Sequence, residues 1–181
     1  MIIRNYKKAN LGMSFENKIN LANLHYLDHN IAVIYKKPTP ITIVKVMYPR
    51  RSRAKIIEAY FKVPSTTDYN GIYKGKYIDF EAKTTKAKSF SFDRIYKHQV
   101  FHLESVKEHG GISFILVEFS TLNETYLLPI EVFLKYFYDT SINKRKSIPY
   151  QVFKDEAYLV ENSDYVDLDY LKIIDNIYFK K

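Results

Sequence analysis

The sequence predicts a mixed α/β fold: one mixed β-sheet flanked by helices. Three observations carry that expectation. Helical periodicity at residues 13–27 and 93–109 brackets a β-rich middle, the order expected of a mixed sheet with helices on its faces. The nearly unbroken apolar run at 112–119 has the composition of a strand buried on both sides in the middle of a sheet. The length of 181 residues and hydrophobic content of 46% suit one domain with a sizeable core.

In order, residues 1–10 are polar and basic and are expected to be loose. Residues 13–27 predict a helix, with Ser14 as N-cap and with Phe15, Ile19, Ala22 and Tyr26 at helical spacing. Glu16 lies in its first turn, either as a favourable dipole charge or as a third carboxylate for the site described below. Residues 31–37 predict a strand, Lys36-Lys37-Pro38-Thr39-Pro40 a stiff basic turn, and 41–46 a second strand. Residues 48–53 break that strand, and 54–60 predict a short helix.

After the central hairpin come a polar loop at 84–91, the amphipathic helix at 93–109 ended by Gly110-Gly111, and the buried strand at 112–119. A further strand at 126–129, an aromatic helix at 130–138, a basic loop at 143–147, a short helix opened by Ile148-Pro149 and a closing amphipathic helix at 169–178 complete the chain.

Composition excludes some chemistry. There is no cysteine, so disulfides and thiolate metal sites are ruled out, which suits a reducing, cytoplasmic setting. Neither a signal-peptide pattern nor a long apolar span is found, so a membrane partner is not expected. The net charge of +8 is uneven. Eight basic residues between 36 and 62 face a single acid, Glu58, whereas seven acids outnumber four bases from Gln151 onward. Basic and aromatic residues interleave from Tyr48 to Phe61, a pattern able to hold phosphates on Arg and Lys while an aromatic ring stacks on a base. Taken alone, the block reads equally as a solvated basic face.

The chemistry centres on residues 66–83. Lys74-Gly75 reads as a two-residue hairpin turn. Closing there sets Tyr73 against Lys76, Asp68 against Glu81 and Thr66 against Lys83. Asn70-Gly71, a hairpin signal in its own right, is read as a bulge in the first strand, since 69–77 cannot contain two turns. Tyr77, Asp79, Glu81 and Lys83 then share one face, with Ile78, Phe80 and Ala82 on the other. Two opposed carboxylates repel, and a divalent cation between them removes the conflict in a hard-oxygen site suited to Mg²⁺. Lys83 beside it can offset charge on a phosphate under attack. A surface Glu–Lys pair is the plainer reading of Glu81 and Lys83 alone; the opposed Asp68 shifts the balance.

Asp68, Glu81 and Lys83 on a hairpin, preceded by a helix carrying Glu16, resemble the core of the PD-(D/E)xK nuclease superfamily. Longer strings are more specific. Gly12-Met13-Ser14-Phe15-Glu16, Lys36-Lys37-Pro38-Thr39-Pro40, Glu58-Ala59-Tyr60-Phe61-Lys62, Ser65-Thr66-Thr67-Asp68-Tyr69-Asn70-Gly71, Tyr77-Ile78-Asp79-Phe80-Glu81-Ala82-Lys83, His98-Gln99 and Arg145-Lys146-Ser147-Ile148-Pro149 resemble the RecU family of Holliday-junction resolvases, from about Gly12 to Phe179.

The resemblance implies a restriction-endonuclease-like mixed sheet in a single nuclease domain over residues 1–181, with a protruding basic stalk at about 46–65. It implies a homodimeric, Mg²⁺-dependent endonuclease, with Mn²⁺ as a substitute, that cuts four-way DNA junctions in recombination and repair. By position, Thr66, Asp68, Glu81 and Gln99 match the family's metal site, Lys83 its transition-state lysine and Glu16 its helix carboxylate. Lys36, Lys37, Arg50, Arg51, Arg53 and Phe61 make up the expected DNA-binding set. Partners implied are junction DNA, a second copy of the chain, and a recombinase or branch-migration helicase. The superfamily proline before the first acid is Thr67 here. The rival readings are a different nuclease of the same core, such as a restriction-type or mismatch enzyme, and a junction-binding or recombinase-modulating module that does not cleave.

Overall fold

The computed structural model describes residues 14–50, 53–62, 67–139 and 145–180. Its main sheet has six strands in the order β1 (Val33–Lys36), β4 (Tyr69–Tyr73), β5 (Lys76–Thr85), β7 (Ile112–Phe119), β8 (Glu124–Pro129) and β10 (Tyr158–Leu159). Every neighbouring pair is antiparallel except β5 and β7, which run parallel. A parallel pair needs a crossover, and helix α2 (Lys97–Glu108) supplies it. Helices α1 (Phe15–Asp28), α3 (Ile130–Tyr138), α4 (Tyr150–Glu156) and α5 (Tyr170–Ile174) complete the body. The predicted mixed β-sheet flanked by helices is what the chain adopts.

β7 is buried along its whole length, in keeping with its nearly unbroken apolar sequence. Phe114 and Leu116 pack on one face with Phe15, Ile19, Tyr26 and Tyr170 of α1 and α5. Ile115 and Val117 pack on the other with Leu103, Phe133 and Phe153 of α2, α3 and α4. The same period of two operates in β5, where Ile78 and Phe80 join the α1 side. The row Tyr77, Asp79, Glu81, Lys83 therefore faces α2. Tyr69, Phe80 and Phe114, side by side on three strands, stack at centroid distances of 4.9 and 4.7 Å. This aromatic row locks the register that sets the site.

Ser14 caps α1 as expected, accepting the Asn17 N–H at 3.3 Å. Several expectations are corrected. Residues 54–60 are no helix: β3 (Lys55–Phe61) pairs with β2 (Ile41–Met47) in a separate two-stranded ribbon. A pairing partner overrides the weak local helical pattern, and Ile56 and Ile57 are β-branched. Asn70-Gly71 is no bulge, because β4 keeps unbroken register with both β1 and β5. Gly71 is there for close approach: a Cβ on it would lie 2.1 Å from the Val33 carbonyl oxygen.

The expected loop at 84–91 is partly strand, since β5 runs to Thr85 and β6 (Ser89–Ser91) pairs with β9 (Ser147–Pro149). The helix expected at 93–109 is broken at Ile95, which is extended, leaving a 3₁₀ turn at Phe92–Arg94 ahead of α2. The closing helix passes from α5 into a π-helical turn at Asp175–Phe179. The stretch up to Met13, Arg51, residues 63–66 including Thr66, and Asn143 lie outside the described residues.

Candidate active site

The turn at Lys74-Gly75 forms as predicted, with φ of 47° and 77°, the two positive values that match the twist of a tight hairpin. Tyr73 pairs with Lys76, and the ladder runs back to its last pair, Tyr69 with Phe80. Asp68 sits one residue beyond it, level with Glu81. The two acids hold each other's strands. The Asp68 N–H donates to Glu81 Oε2 at 3.1 Å, and the Ala82 N–H donates to Asp68 Oδ2 at 3.2 Å.

Lys83 Nζ donates to Glu81 Oε1. From α2, Gln99 Nε2 donates to the same oxygen at 2.9 Å, while Gln99 Oε1 accepts the Tyr96 N–H and caps its own helix at 3.1 Å. Both ends of the amide are thus engaged, so Gln99 acts on the site through Glu81. One turn further along α2, His102 reaches Asp79 at 2.9 Å.

Glu81 is fully buried. Burial first, and then the charge of Asp68, push its carboxyl up to about 7; Lys83 and Gln99 pull in the opposite direction. The pair is therefore short of positive charge even with Lys83 in place. Hard oxygens in a charge-deficient pocket suit a divalent cation. Among the described residues no set of three or more His, Cys, Asp or Glu side chains is placed to hold a metal.

The remaining expected residues fall in different places. Glu16 is in the first turn of α1 and pairs with Lys36 at 2.6 Å. It acts with Asp68 and burial to hold the Tyr69 phenol above its ordinary range. Lys37 turns inward, its Nζ 2.8 Å from Asp79 Oδ2, with a side chain only 15% exposed. Arg50 and Arg53 are exposed at the tip of the β2–β3 ribbon, joined by an Arg53 N–H to Arg50 carbonyl bond of 2.9 Å. Phe61, at 83%, is the most exposed of the large apolar side chains among the described residues.

Two features escaped sequence reasoning. One is the buried Asp79 and its donors. The other is a basic margin in which Lys86, Lys88 and Arg94, just past Lys83 in the chain, join Arg145 and Lys146 of the expected basic loop, all exposed around β6 and β9. The Lys86-Ala87-Lys88 spacing was a signal for it; the approach of Lys146, whose carbonyl accepts the Phe92 N–H at 3.0 Å, was not readable.

Comparison with known proteins places this geometry. The family model described as RecU, Recombination protein U, matches residues 10–176. A protein of Leuconostoc mesenteroides named Holliday junction resolvase RecU is 50% identical over 92% of this chain and 81% of its own length. Proteins of the same name from Streptococcus sanguinis and Geobacillus kaustophilus are 51% and 47% identical, over 92% and 96% of this chain and 83% and 87% of theirs. Among solved structures, the Holliday junction resolvase Hjc of Archaeoglobus fulgidus is a remote neighbour, 12% identical with a TM-score of 0.38 over 65% of this chain and 75% of that one. With the family model spanning nearly the whole sequence and half the residues shared with such relatives, this chain belongs to the RecU family.

Proposed function

We propose that this protein is a divalent-metal-dependent endonuclease that cuts four-way DNA junctions by phosphodiester hydrolysis. The observation that carries the reading is the convergence of Asp68, Glu81 and Lys83, each acid held by a backbone N–H of the other's strand. The names of the relatives support the substrate. Asp68, Glu81 and the Ala82 carbonyl are the groups that would hold the cation, and their hard oxygens favour Mg²⁺, with Mn²⁺ as a substitute. When bound, such an ion supplies Lewis-acid polarisation of the scissile phosphate.

The protein's own groups do the rest. Gln99 and the Asp68 N–H fix the two Glu81 oxygens, so that carboxylate cannot rotate away. The Lys83 ammonium offsets the negative charge that builds on the phosphate under attack. The exposed ribbon, with Arg50, Arg53 and Phe61, offers cations and an aromatic ring to unpaired DNA.

The protein works as a homodimer in this reading. A symmetric junction needs two cuts, and the ribbon leaves Ile41, Ile43, Val44, Met47, Ile56 and Ile57 uncovered in one copy. The absence of cysteine fits a cytoplasmic setting, and no described helix is long and apolar enough to cross a membrane.

The test compares wild type with Asp68→Asn on a four-way junction and a linear duplex, with Mg²⁺. Wild type is expected to cut the junction selectively, and the variant to bind it without cutting. Equal cleavage by both would overturn the active site. Junction binding with no cleavage by wild type would favour a non-cleaving module.

A further inference from the structure

The residue before Asp68 is Thr67. Thr67 is buried, and its hydroxyl donates to Asp79 Oδ1 while accepting from Lys37 Nζ at 2.5 Å. Asp79 is wholly buried on the face of β5 that carries Glu81. Its Oδ2 meets Lys37 Nζ at 2.8 Å, the Tyr77 hydroxyl at 2.8 Å and His102 Nε2 at 2.9 Å. The Lys37 main chain joins in, its N–H donating to the Asp68 carbonyl at 2.8 Å.

These contacts tie four pieces of chain at one point: the exit of β1, the entry to β4, the middle of β5 and helix α2. The Thr67–Asp79 bond fixes where the entry to β4 lies relative to the strand that bears Glu81. That matters because the sheet ladder ends at Tyr69, leaving the Asp68 backbone to be held from outside it. A buried carboxylate is costly unless paired and hydrogen-bonded, and Asp79 receives donors on both oxygens.

We propose that Thr67, Asp79 and Lys37 form a positioning cluster that aims Asp68 at Glu81, and that Lys37 serves there and not as a DNA contact. The proposal rests on reading Asp68 and Glu81 as a cation-holding pair. Residues that orient ligands in this way typically change metal affinity or activity by about 10–100-fold when altered.

The test uses Thr67→Val, Thr67→Ser and Lys37→Met in the full chain. Three quantities are measured: Ca²⁺ binding by calorimetry, the Mg²⁺ dependence of junction cleavage, and junction affinity without divalent cation. Thr67→Val is expected to weaken Ca²⁺ binding by about 10-fold or more and to raise the Mg²⁺ requirement in step, at unchanged junction affinity. Thr67→Ser, which keeps the hydroxyl, restores both.

Wild-type cation dependence in Thr67→Val, or a loss that Thr67→Ser does not restore, overturns the proposal. So does a Lys37→Met variant that loses junction affinity but keeps Ca²⁺ binding. Should Thr67→Val fail to fold, Thr67→Ser and Lys37→Met decide the matter. A wild-type protein that binds Ca²⁺ but never cuts removes the nuclease reading and leaves the cluster to be judged on Ca²⁺ alone. One that binds no Ca²⁺ removes both.

Discussion

Replacing Glu81 by Gln should change how stability depends on pH, and the structure sets the size and sign. Glu81 has its carboxyl raised from 4.5 to about 7, chiefly by burial and then by Asp68. The folded state thus holds this proton more tightly than the unfolded chain does. Below pH 4.5 the group is protonated in both states and contributes no pH dependence. Between 4.5 and 7 the unfolded chain ionises while the folded one resists, so stability falls as pH rises; above 7 the loss is complete. At about 1.4 kcal/mol per pKa unit the full loss is on the order of 3 kcal/mol.

Glutamine has no such proton. The difference in unfolding free energy between Glu81→Gln and wild type should therefore move in favour of the variant by about 1–3 kcal/mol between pH 4 and 8. A constant offset is expected as well, because the new amide presents a donor either to the Asp68 N–H or to Lys83 and Gln99. Urea unfolding across that pH range, without divalent cation, isolates the slope. On the proposal that Asp68 and Glu81 hold a divalent cation, adding Mg²⁺ at pH 8 should restore stability to wild type and leave the variant unmoved. A difference flat in pH would refute the argument that Glu81 is held in a charge-deficient pocket.

Lys83→Met should reduce junction cleavage by about 100-fold or more while leaving junction affinity intact; a rate within a few-fold of wild type would remove Lys83 from the chemistry. Gly71→Ala should destabilise the protein by at least about 1–3 kcal/mol, because its methyl group would fall 2.1 Å from the Val33 carbonyl and 2.6 Å from the Ile34 Cα, both main-chain atoms that must move. Urea unfolding checks it, and a change below about 0.5 kcal/mol, the range of an ordinary surface substitution, would show that β1 and β4 are not so closely apposed. Replacing Arg50, Arg51 and Arg53 together by Gln should weaken junction binding and flatten its dependence on salt by about one logarithmic unit for each phosphate these side chains neutralise. Replacing Lys86, Lys88 and Lys146 should also flatten the salt dependence, and for linear duplex as much as for junctions, since these side chains are exposed around β6 and β9 and not on the ribbon; unchanged slopes would count against each surface in turn.

The hairpin from Tyr69 to Lys83 was readable because its information is local. Two residues able to take positive φ set the turn, the turn sets the register, and a period of two then assigns every side chain to a face. The pairing of Asp68 with Glu81 followed from that arithmetic alone. β7 was equally plain, since a strand covered on both sides reads as a nearly continuous apolar run. β3 was not, because helix and strand compete closely in Lys55–Phe61 and the partner that decides between them, β2, lies across an intervening turn. Gly71 misled for a similar reason: its need is imposed by the main chain of β1, nearly forty residues earlier in the sequence.

Lys37 and Gln99 mark the boundary most clearly. Composition placed Lys37 in a basic block, and only the buried Asp79 turned its ammonium inward, because an unpaired carboxylate in the core is costlier than a lysine withdrawn from the surface. The family resemblance suggested Gln99 as part of the metal site; that its amide donates to Glu81 is set by the packing of α2 over β5. Residue types and their spacing by themselves determined the kind of fold, the turn and the two facing acids, because those rest on short-range geometry. Which cations serve the acids, which serve the surface and how firmly the first acid is aimed was decided by tertiary contacts, because charge pairing and burial depend on distances between segments that the order of residues does not contain.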